Sequence, residues 1–508
     1  MSAEQFLYPS HDEFVNEAII AGRPLLDLIY EIQSIYKADK RPWVVGFSGG
    51  KDSTVVLSLT YYALKRLAPE ERHKHVYIVS SDTRVETPVV VDMIRETLES
   101  VNAQAAQDQI PMSAHSVMPE TSQTFWVNLL GKGYPAPTKA FRWCTERMKI
   151  DPVSGFIKDK VARFGEVVVA LGSRREESST RAQVIARHRI DGSALGRRTS
   201  LPNAYTYMPI ELWHSADVWE YLMSAARPWG GSNRVLFELY KDSNAGECPL
   251  VIDTNTPSCG NSRFGCWTCT VVTQDKAIEG LVNSGEDWMR PLLQFRNQLH
   301  ASSLPENKTE YRNYKRRTGK VTFARGAIDD DSTSSTKHVP GPYWMRYRKE
   351  WLKLLLEIEK GIRQTNRDLE LIGRDELQVI RQQWLKDPNE PDWVDSLPKI
   401  YREVYPDDTI EWIKNDAGAF TEPDAAILNA LEAEKGVPAV LIMKLIDAEL
   451  SFSGLTRRKG ILGELQRILE QDWGSLDEAL ERRSTPSSDD MYKAAFESLK
   501  AEYDDLLQ

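Results

Sequence analysis

The sequence is poor in cysteine, has no long apolar run and carries no excess of positive charge. Its five cysteines are an odd number in 508 residues, and four of them crowd between 248 and 269. That pattern excludes a disulfide framework and points to metal chemistry in a reducing compartment. The longest apolar runs, near Val167–Leu171 and Ala439–Met443, are far too short to span a bilayer, so no membrane partner is expected. The first thirty residues carry Glu4, Asp12, Glu13 and Glu17 without an uninterrupted apolar segment, which predicts a cytoplasmic protein without a secretory leader. A formal net charge of −10 argues against a surface that grips nucleic acid everywhere, while leaving room for a local basic groove. No internal repeat is present.

What is there suits two or three domains with ample core, since 41% of residues are hydrophobic and 27% charged. One stretch organises the rest. Trp43, Val44, Val45 and Phe47, broken by Gly46, read as a short buried strand that runs into Ser48-Gly49-Gly50. Asp52-Ser53-Thr54 then supply cap chemistry for a helix with apolar positions at Val55, Val56, Leu59, Tyr62, Ala63 and Leu67. Strand, small-residue loop and helix N-terminus form an anion cradle: amides point outward and the helix dipole adds positive potential. The spacing is not that of the Walker loop, which separates its first Gly from Gly-Lys by four residues. Ser-Gly-Gly-Lys-Asp-Ser-Thr instead resembles the pyrophosphate-binding loop of the ATP pyrophosphatases, which cleave ATP between its α and β phosphates. That superfamily includes adenylyl-sulfate and phosphoadenylyl-sulfate reductases, tRNA thiolases and GMP synthetase.

Residues 1–40 read as a helical lead-in interrupted by Gly22-Arg23-Pro24. Val76–Ser80 is the next strand, and alternation of strand and helix predicts a parallel sheet with ligands at the strands' carboxyl ends. Asp82 lies at such an end and suits either a nucleotide hydroxyl, a metal or a helix cap. Four cations, Lys139, Arg142, Arg147 and Lys149, surround Cys144 and favour its thiolate, the form that attacks sulfur or binds metal. Glu166–Leu171 is a buried strand opening into Gly172-Ser-Arg174-Arg175, whose guanidiniums match phosphate or sulfate oxygens in pairs. Tyr207–Ile210 is expected as a further strand, followed by a helix with Asp217 as cap and Trp219 as core.

Cys248, Cys259, Cys266 and Cys269 follow a C-x10-C-x6-C-x2-C spacing. Thiolates this dense repel one another unless a metal neutralises them, and the spacing serves a tetrahedral zinc or an iron–sulfur cluster equally. Downstream, residues 285–325 interleave cations and rings, among them Arg290, Arg296, Tyr311, Arg312, Tyr314, Lys315, Arg316, Arg317 and Lys320. Such mixing suits a nucleic-acid strand or a solvated helix face. Asp329–Lys337 reads as a polar linker, and helical patterns follow to the C-terminus, where no catalytic constellation appears.

The pieces resemble one family in particular. Ser-Asp-Thr-Arg-Val-Glu-Thr-Pro (81–88), the Arg-Trp-Cys…Lys segment and the Arg174-Arg175-Glu segment are similar to motifs of the sulfate-nucleotide reductases. Many iron–sulfur members carry two adjacent cysteines where this chain has Trp143-Cys144. The Cys-Pro-Leu…Ser-Cys-Gly-Asn-Ser-Arg-Phe-Gly-Cys-Trp-Thr-Cys run looks most like the DNA phosphorothioation family DndC, over roughly residues 20 to 350. The resemblance implies an α/β fold: a parallel-sheet ATP-pyrophosphatase core of the adenine nucleotide α-hydrolase-like kind, an iron–sulfur segment and an added helical C-terminal region. It implies ATP with Mg2+ bound over Ser48, Gly49, Gly50, Lys51, Asp52 and Ser53, helped by Asp82, Gly172, Arg174 and Arg175. It further implies a [4Fe–4S] cluster on the four clustered cysteines, sulfur from a cysteine desulfurase, companion Dnd proteins, and DNA met through that complex.

These expectations divide the chain into a lead-in (1–40), an ATP-pyrophosphatase domain (41–235), a cysteine and basic/aromatic segment (236–330) and a helical region (331–508). The expected chemistry is adenylation of an acceptor, a DNA phosphate by resemblance, with Lys51, Asp52, Arg174 and Cys144 as catalytic residues: the loop amides, Lys51 and Arg174 steady charge, and sulfur is carried as persulfide on Cys144 or held at the cluster. A sulfate-nucleotide reductase or a tRNA thiolase would share the loop. A metal-stabilised scaffold in a DNA-bound complex is the non-enzymatic alternative.

Overall fold

A computed structural model of the chain describes residues 11–177, 179–190, 192–197, 201–243, 265–323, 338–365, 369–413, 420, 422–452 and 460–484. The chain divides into two units, Met1–Phe125 with Pro137–His300, and Trp126–Ala136 with Ala301–Gln508.

The first unit is built on a six-stranded sheet. Its strands are β1 (Trp43–Gly46), β2 (Val76–Ser81), β3 (Met112–Val117), β4 (Val167–Ala170), β5 (Leu195–Arg197) and β6 (Ala204–Tyr207), in the order β3-β2-β1-β4-β6-β5. All neighbours are parallel except β5, which runs antiparallel to β6. Trp43 to Gly46 are buried throughout, as are Val167 to Ala170, and both read as continuous apolar runs because helices cover both faces of a parallel sheet. The strand expected at Tyr207–Ile210 lies upstream instead, because Ala204–Tyr207 pairs residue for residue with Val167–Ala170. The order reverses beside β1, so its carboxyl end is where a crevice opens.

Helices α1 (Leu25–Lys37), α2 (Lys51–Lys65), α3 (Pro88–Gln107), α4 (Asp151–Phe164), α5 (Ser215–Ser224), α6 (Arg234–Ser243) and α7 (Lys276–Asn283) are among those of this unit. In α1, Leu25, Leu28, Ile29, Ile32 and Tyr36 recur at three- and four-residue spacing and face the core. The expected interruption at Gly22-Arg23-Pro24 is a hairpin: Ile19–Ile20 pairs with Arg23–Pro24, and Ala21 and Gly22 take positive φ. Helix α2 is buried from Lys51 to Leu64, so it is a central helix and not the amphipathic one its apolar positions suggested.

The second unit is helical, with α8 (Met345–Ile362), α9 (Arg374–Leu385), α10 (Ser396–Val404), α11 (Glu422–Lys435), α12 (Ala439–Phe452), α13 (Ile461–Leu469) and α14 (Leu476–Ser484). Polar bonds lock its centre. The fully buried Arg348 donates to the Asp387 carboxylate at 2.9 Å and to the Gly131 carbonyl at 3.0 Å. Trp384 and Trp126 donate their indole N–H groups to the carbonyls of Leu130 and Leu371. Among the described residues no helix is long and apolar enough to cross a membrane. The expected linker Asp329–Lys337 lies outside the described residues.

Candidate functional site

The carboxyl end of β1 delivers the chain into a loop that only small residues permit. Phe47 N–H still bonds to the Val79 carbonyl at 2.9 Å, and then the backbone turns at Gly49 with φ +74°. A Cβ there would lie 2.7 Å from Cγ1 of Ile94, and one on Gly50 would lie 3.2 Å from the Tyr240 hydroxyl. Gly50 is the N-cap of α2, and its carbonyl accepts hydroxyl hydrogens from Ser53 and Thr54, each at 2.9 Å. Ser53 Oγ also accepts from Ser48 N–H at 3.2 Å, so the loop closes on its own helix. Fifteen aligned peptide units put the positive end of the α2 dipole behind it. The Lys51 N–H meets the Tyr240 hydroxyl at 3.3 Å, and the Lys51 ammonium donates to Ser215 Oγ and lies 5.7 Å from the Trp219 ring.

The loop after β4 braces the same helix. Gly172 passes so close that a Cβ would sit 2.8 Å from the Asp52 carbonyl carbon, which explains a glycine there. Two residues on, Arg174 Nε donates to the Asp52 carboxylate. Arg174 is 3% exposed and Asp52 7%. Arg174 Nη1 also donates to Glu176 at 3.0 Å and to the Trp213 carbonyl at 3.3 Å. Arg175 Nε donates to Glu211 at 2.5 Å. The two arginines therefore spend their forks on protein carboxylates, holding the frame of the cradle.

The opposite wall joins motifs that are far apart in sequence. Residues 85–87 pair with 265–267: Trp267 N–H donates to the Val85 carbonyl at 3.0 Å, and Thr87 N–H and hydroxyl both donate to the Gly265 carbonyl, at 2.7 and 2.8 Å. Cys266 Sγ then lies 3.7 Å from Glu86 Oε1 and 3.5 Å from Thr83 Oγ1. Lys149 Nζ reaches the same Glu86 oxygen at 3.3 Å, brought there by a π-helical stretch, Thr145–Ile150. The Ser81 hydroxyl pins that stretch to the end of β2 by donating to the Met148 carbonyl at 3.0 Å. Burial, then the Glu86 charge, push the Cys266 thiol well above its ordinary range, while Lys149 and Thr83 pull the other way. Burial likewise raises the Asp82 carboxyl, which accepts from Arg84 N–H at 2.8 Å in a local turn and caps no helix. Between the walls lies an open cleft lined by Ser48, Gly49, Gly50, Ser81, Glu86 and Lys149, with Gly265 and the α6 residues Leu236, Leu239 and Tyr240.

Ser48 to Ser53, Gly172 and Arg174 thus meet at one end of α2. Cys144 precedes the π-helical stretch, is half-buried and forms no disulfide. Its neighbour Trp143 fills the core by stacking on Phe125, 5.5 Å between centroids. Cys266 and Cys269 share one turn, Cys269 N–H donating to the Cys266 carbonyl at 3.1 Å. Cys248 and Cys259 lie outside the described residues, and among the described residues no three metal-binding side chains cluster. Glu86, Thr83, Ser215 and Tyr240 were not singled out from sequence. Glu86 stood within a quoted motif, but nothing local announced that it faces Cys266.

The profile of the phosphoadenosine phosphosulfate reductase domain matches residues 42–272, the stretch that holds both walls of the cleft. Two proteins of Methanocaldococcus jannaschii are similar in sequence. Uncharacterized protein MJ0066 is 30% identical over 198 residues, which is 39% of this chain and 35% of that one. Uncharacterized protein MJ0973 is 26% identical over 224 residues, 44% and 40% of the two chains. The match therefore spans well under half the length of either relative. Among solved structures, the FMN adenylyltransferase of Candida glabrata, in complex with FAD and inorganic pyrophosphate, has 13% identity and a TM-score of 0.26, over 42% of this chain and 64% of that one. With its mostly parallel sheet and glycine loop at the end of β1, the chain carries a phosphoadenosine phosphosulfate reductase-like domain of the ATP-pyrophosphatase type.

Proposed function

We propose that this domain cleaves ATP between the α and β phosphates and adenylates an acceptor oxygen that sulfur then replaces, the acceptor being a DNA backbone phosphate. The observation that carries the reading is the Ser48-Gly49-Gly50 turn. It opens a helix N-terminus onto a cleft whose far wall bears Lys149 and the Cys266 turn. The loop amides and the Lys51 ammonium hold the pyrophosphate as charge grows on it, and Mg2+ arrives with the triphosphate. An acceptor oxygen attacks the α phosphorus, the bond to the β-phosphate oxygen breaks, and pyrophosphate leaves. The terminal sulfur of a persulfide, carried on Cys144 and supplied by a cysteine desulfurase, next attacks the activated phosphorus, and AMP departs with the oxygen. A second thiol attacks Cys144 Sγ, the thiophosphate leaves, and the disulfide so formed is reopened by an external thiol reductant.

Cys266 and Cys269, on one turn beside the cleft, fit as two ligands of a [4Fe–4S] cluster completed by Cys248 and Cys259. A metal cation offsets the repulsion that burial and Glu86 impose on the Cys266 thiolate. Such a cluster would supply electron transfer or sulfur binding. Companion Dnd proteins would present the DNA.

The test is product analysis with the full chain, ATP, DNA and a cysteine desulfurase with cysteine as sulfur donor. AMP and pyrophosphate in equal amounts, lost in Gly49→Val, are expected. ADP with inorganic phosphate would sink the reading. The domain match also favours a reductase of adenylyl sulfates, for which sulfite release from such a nucleotide is the corresponding readout.

A further inference from the structure

Most of the cations in the stretch from 285 to 325 serve the fold. Arg296 is fully buried and donates to the carbonyls of Cys269, Val272 and Thr273. Arg312 donates to the carbonyls of Pro340 and Gly341, Arg316 to that of Pro340, and Arg317 to that of Lys132. Uncommitted positive charge lies elsewhere, at the edge of the sheet.

Between β4 and β6 the chain makes an excursion, residues 179–198. It holds five arginines (Arg181, Arg187, Arg189, Arg197 and Arg198) and one acid, Asp191, in a protein of net charge −10. The excursion starts as a helix, Ser179–His188, and returns as the edge strand β5. An antiparallel bridge between Arg189 and Gly196 ties its two arms. Ile190 N–H donates to the Leu195 carbonyl at 3.3 Å, and Ser193 N–H to that of Ile190 at 3.0 Å. Gly196 lets the arms close, since a Cβ there would lie 2.8 Å from Thr206 Oγ1 and 3.1 Å from the His188 carbonyl oxygen. Ile185 and Leu195 are buried beneath it. Arg187, Arg189 and Arg197 are exposed. Among the described residues, none of these three guanidiniums meets a carboxylate or any other hydrogen-bond acceptor. One exposed arginine is simply solvated, but three on one short hairpin concentrate positive potential on an acidic protein.

We propose that this hairpin binds the phosphate backbone of the nucleic acid on which the domain acts. Guanidinium forks match phosphate oxygens in pairs, and such contacts hold a strand without reading its sequence. Side chains alternate along a strand, so Arg189 and Arg197 leave opposite faces of the outermost ribbon and straddle its edge. A backbone laid along that edge meets both. The hairpin turns at the carboxyl end of the sheet, because Leu195 pairs with Tyr207, the last residue of β6, and Arg197 with Tyr205. The glycine turn lies at that same end, three strands away in the order β1-β4-β6-β5, or about 14 Å at the usual strand spacing. A strand gripped at the hairpin is thus a few nucleotides from one whose phosphate reaches the cleft, given about 3.4 Å of axis per phosphate. No large apolar side chain is exposed among the described residues of the excursion, which favours a uniformly charged backbone over a protein surface with an apolar centre. The assignment rests on the proposed function only in taking nucleic acid as the acceptor.

The test is anisotropy of a labelled duplex oligodeoxynucleotide with the full chain, over a salt series and without ATP, beside calorimetry of pyrophosphate. Arg187→Gln, Arg189→Gln and Arg197→Gln together should weaken duplex binding at least about tenfold. They should lower the salt slope by about 2 to 3, one contact per arginine, and leave pyrophosphate affinity unchanged. Lysine at the three positions should keep the slope and lose less affinity, since each ammonium still neutralises one phosphate. A wild type that does not bind the duplex overturns the proposal. So does unchanged affinity and slope in a glutamine variant that melts like wild type. A variant that loses binding to polyglutamate with the duplex unaffected overturns it as well, by assigning the arginines to an acidic protein. Failure of the wild type to form AMP and pyrophosphate would sink the adenylation reading and leave this result standing.

Discussion

Arg174 and Asp52, 122 positions apart, form a buried ion pair at the first turn of α2. The contact ties the loop after β4 to the helix that carries the glycine turn, and Gly172 brings the two backbones close enough to allow it. An arginine that sequence assigns to phosphate is here a brace. Its partner Asp52, placed at the positive end of a helix, is favoured there by the dipole as well as by the guanidinium.

Removing one partner should therefore cost more than removing both. Asp52→Ala leaves a buried guanidinium with Glu176 as its carboxylate partner, and a loss of about 3–5 kcal/mol is expected. Asp52→Asn with Arg174→Met should recover part of it. Urea denaturation of the three proteins checks this, and equal losses in the single and double variants would refute the brace.

Gly49→Ala should damage the loop from both sides of the residue. The backbone is left-handed there, which costs an L-residue about 1–2 kcal/mol, and the new methyl meets Ile94. ATP or pyrophosphate affinity, read by calorimetry, should fall by at least about tenfold while the melting temperature drops by a few degrees. An alanine variant that binds as wild type does would place the anion elsewhere.

Tyr240→Phe should act in the opposite direction. The Tyr240 hydroxyl accepts the Lys51 N–H, the group a bound pyrophosphate would need, and it crowds Gly50. Freeing one amide is worth about 0.5–1.5 kcal/mol, so pyrophosphate should bind roughly two- to tenfold more tightly. Weaker binding would mean that the hydroxyl contacts the ligand itself.

The unequal legibility of these parts has a physical cause. β1, the glycine turn and α2 could be read directly because every signal is local: an apolar run, two residues without Cβ bulk, then cap chemistry. β5 could not, since Leu195–Arg197 is three residues long and owes its conformation to pairing with β6. The far wall was half legible. Thr83, Glu86, Lys149 and Cys266 each stood in or beside a recognisable motif, yet their meeting depends on residues 85–87 pairing with 265–267. Arg296 was misleading for the opposite reason. A cation among rings looks exposed in sequence, and only burial shows that it caps carbonyls of the cysteine turn.

If Cys266 and Cys269 hold iron, their loss and that of Cys144 should differ. Cys266→Ala and Cys269→Ala, purified without oxygen, should each lose most bound iron and the associated visible absorbance, because both ligands leave one turn. Cys144→Ala should keep the iron. Zinc at one equivalent in the wild type would remove the cluster from the proposal, and full iron in Cys266→Ala would remove this turn from the site.

Asp275 offers a test of the same region through pH. Its carboxylate is the N-cap of α7, accepting from Ile278 N–H at 3.2 Å, and is 6% exposed. Burial lifts it to about 6, with that hydrogen bond and the Arg296 charge only partly opposing. The unfolded carboxyl keeps its ordinary value near 3.9. Between these values the folded chain binds more protons than the unfolded one. Stability is therefore greatest at the acid side of this window and is lost as pH rises through 6, by roughly 2–3 kcal/mol from this group. Asp275→Asn keeps the cap acceptor and abolishes the titration. The difference in stability between variant and wild type should therefore shift in favour of the variant by that amount from pH 4 to pH 7, then level off. Denaturation curves at four pH values read it, and a difference that stays constant across the window would show that the carboxyl is not held up by its surroundings.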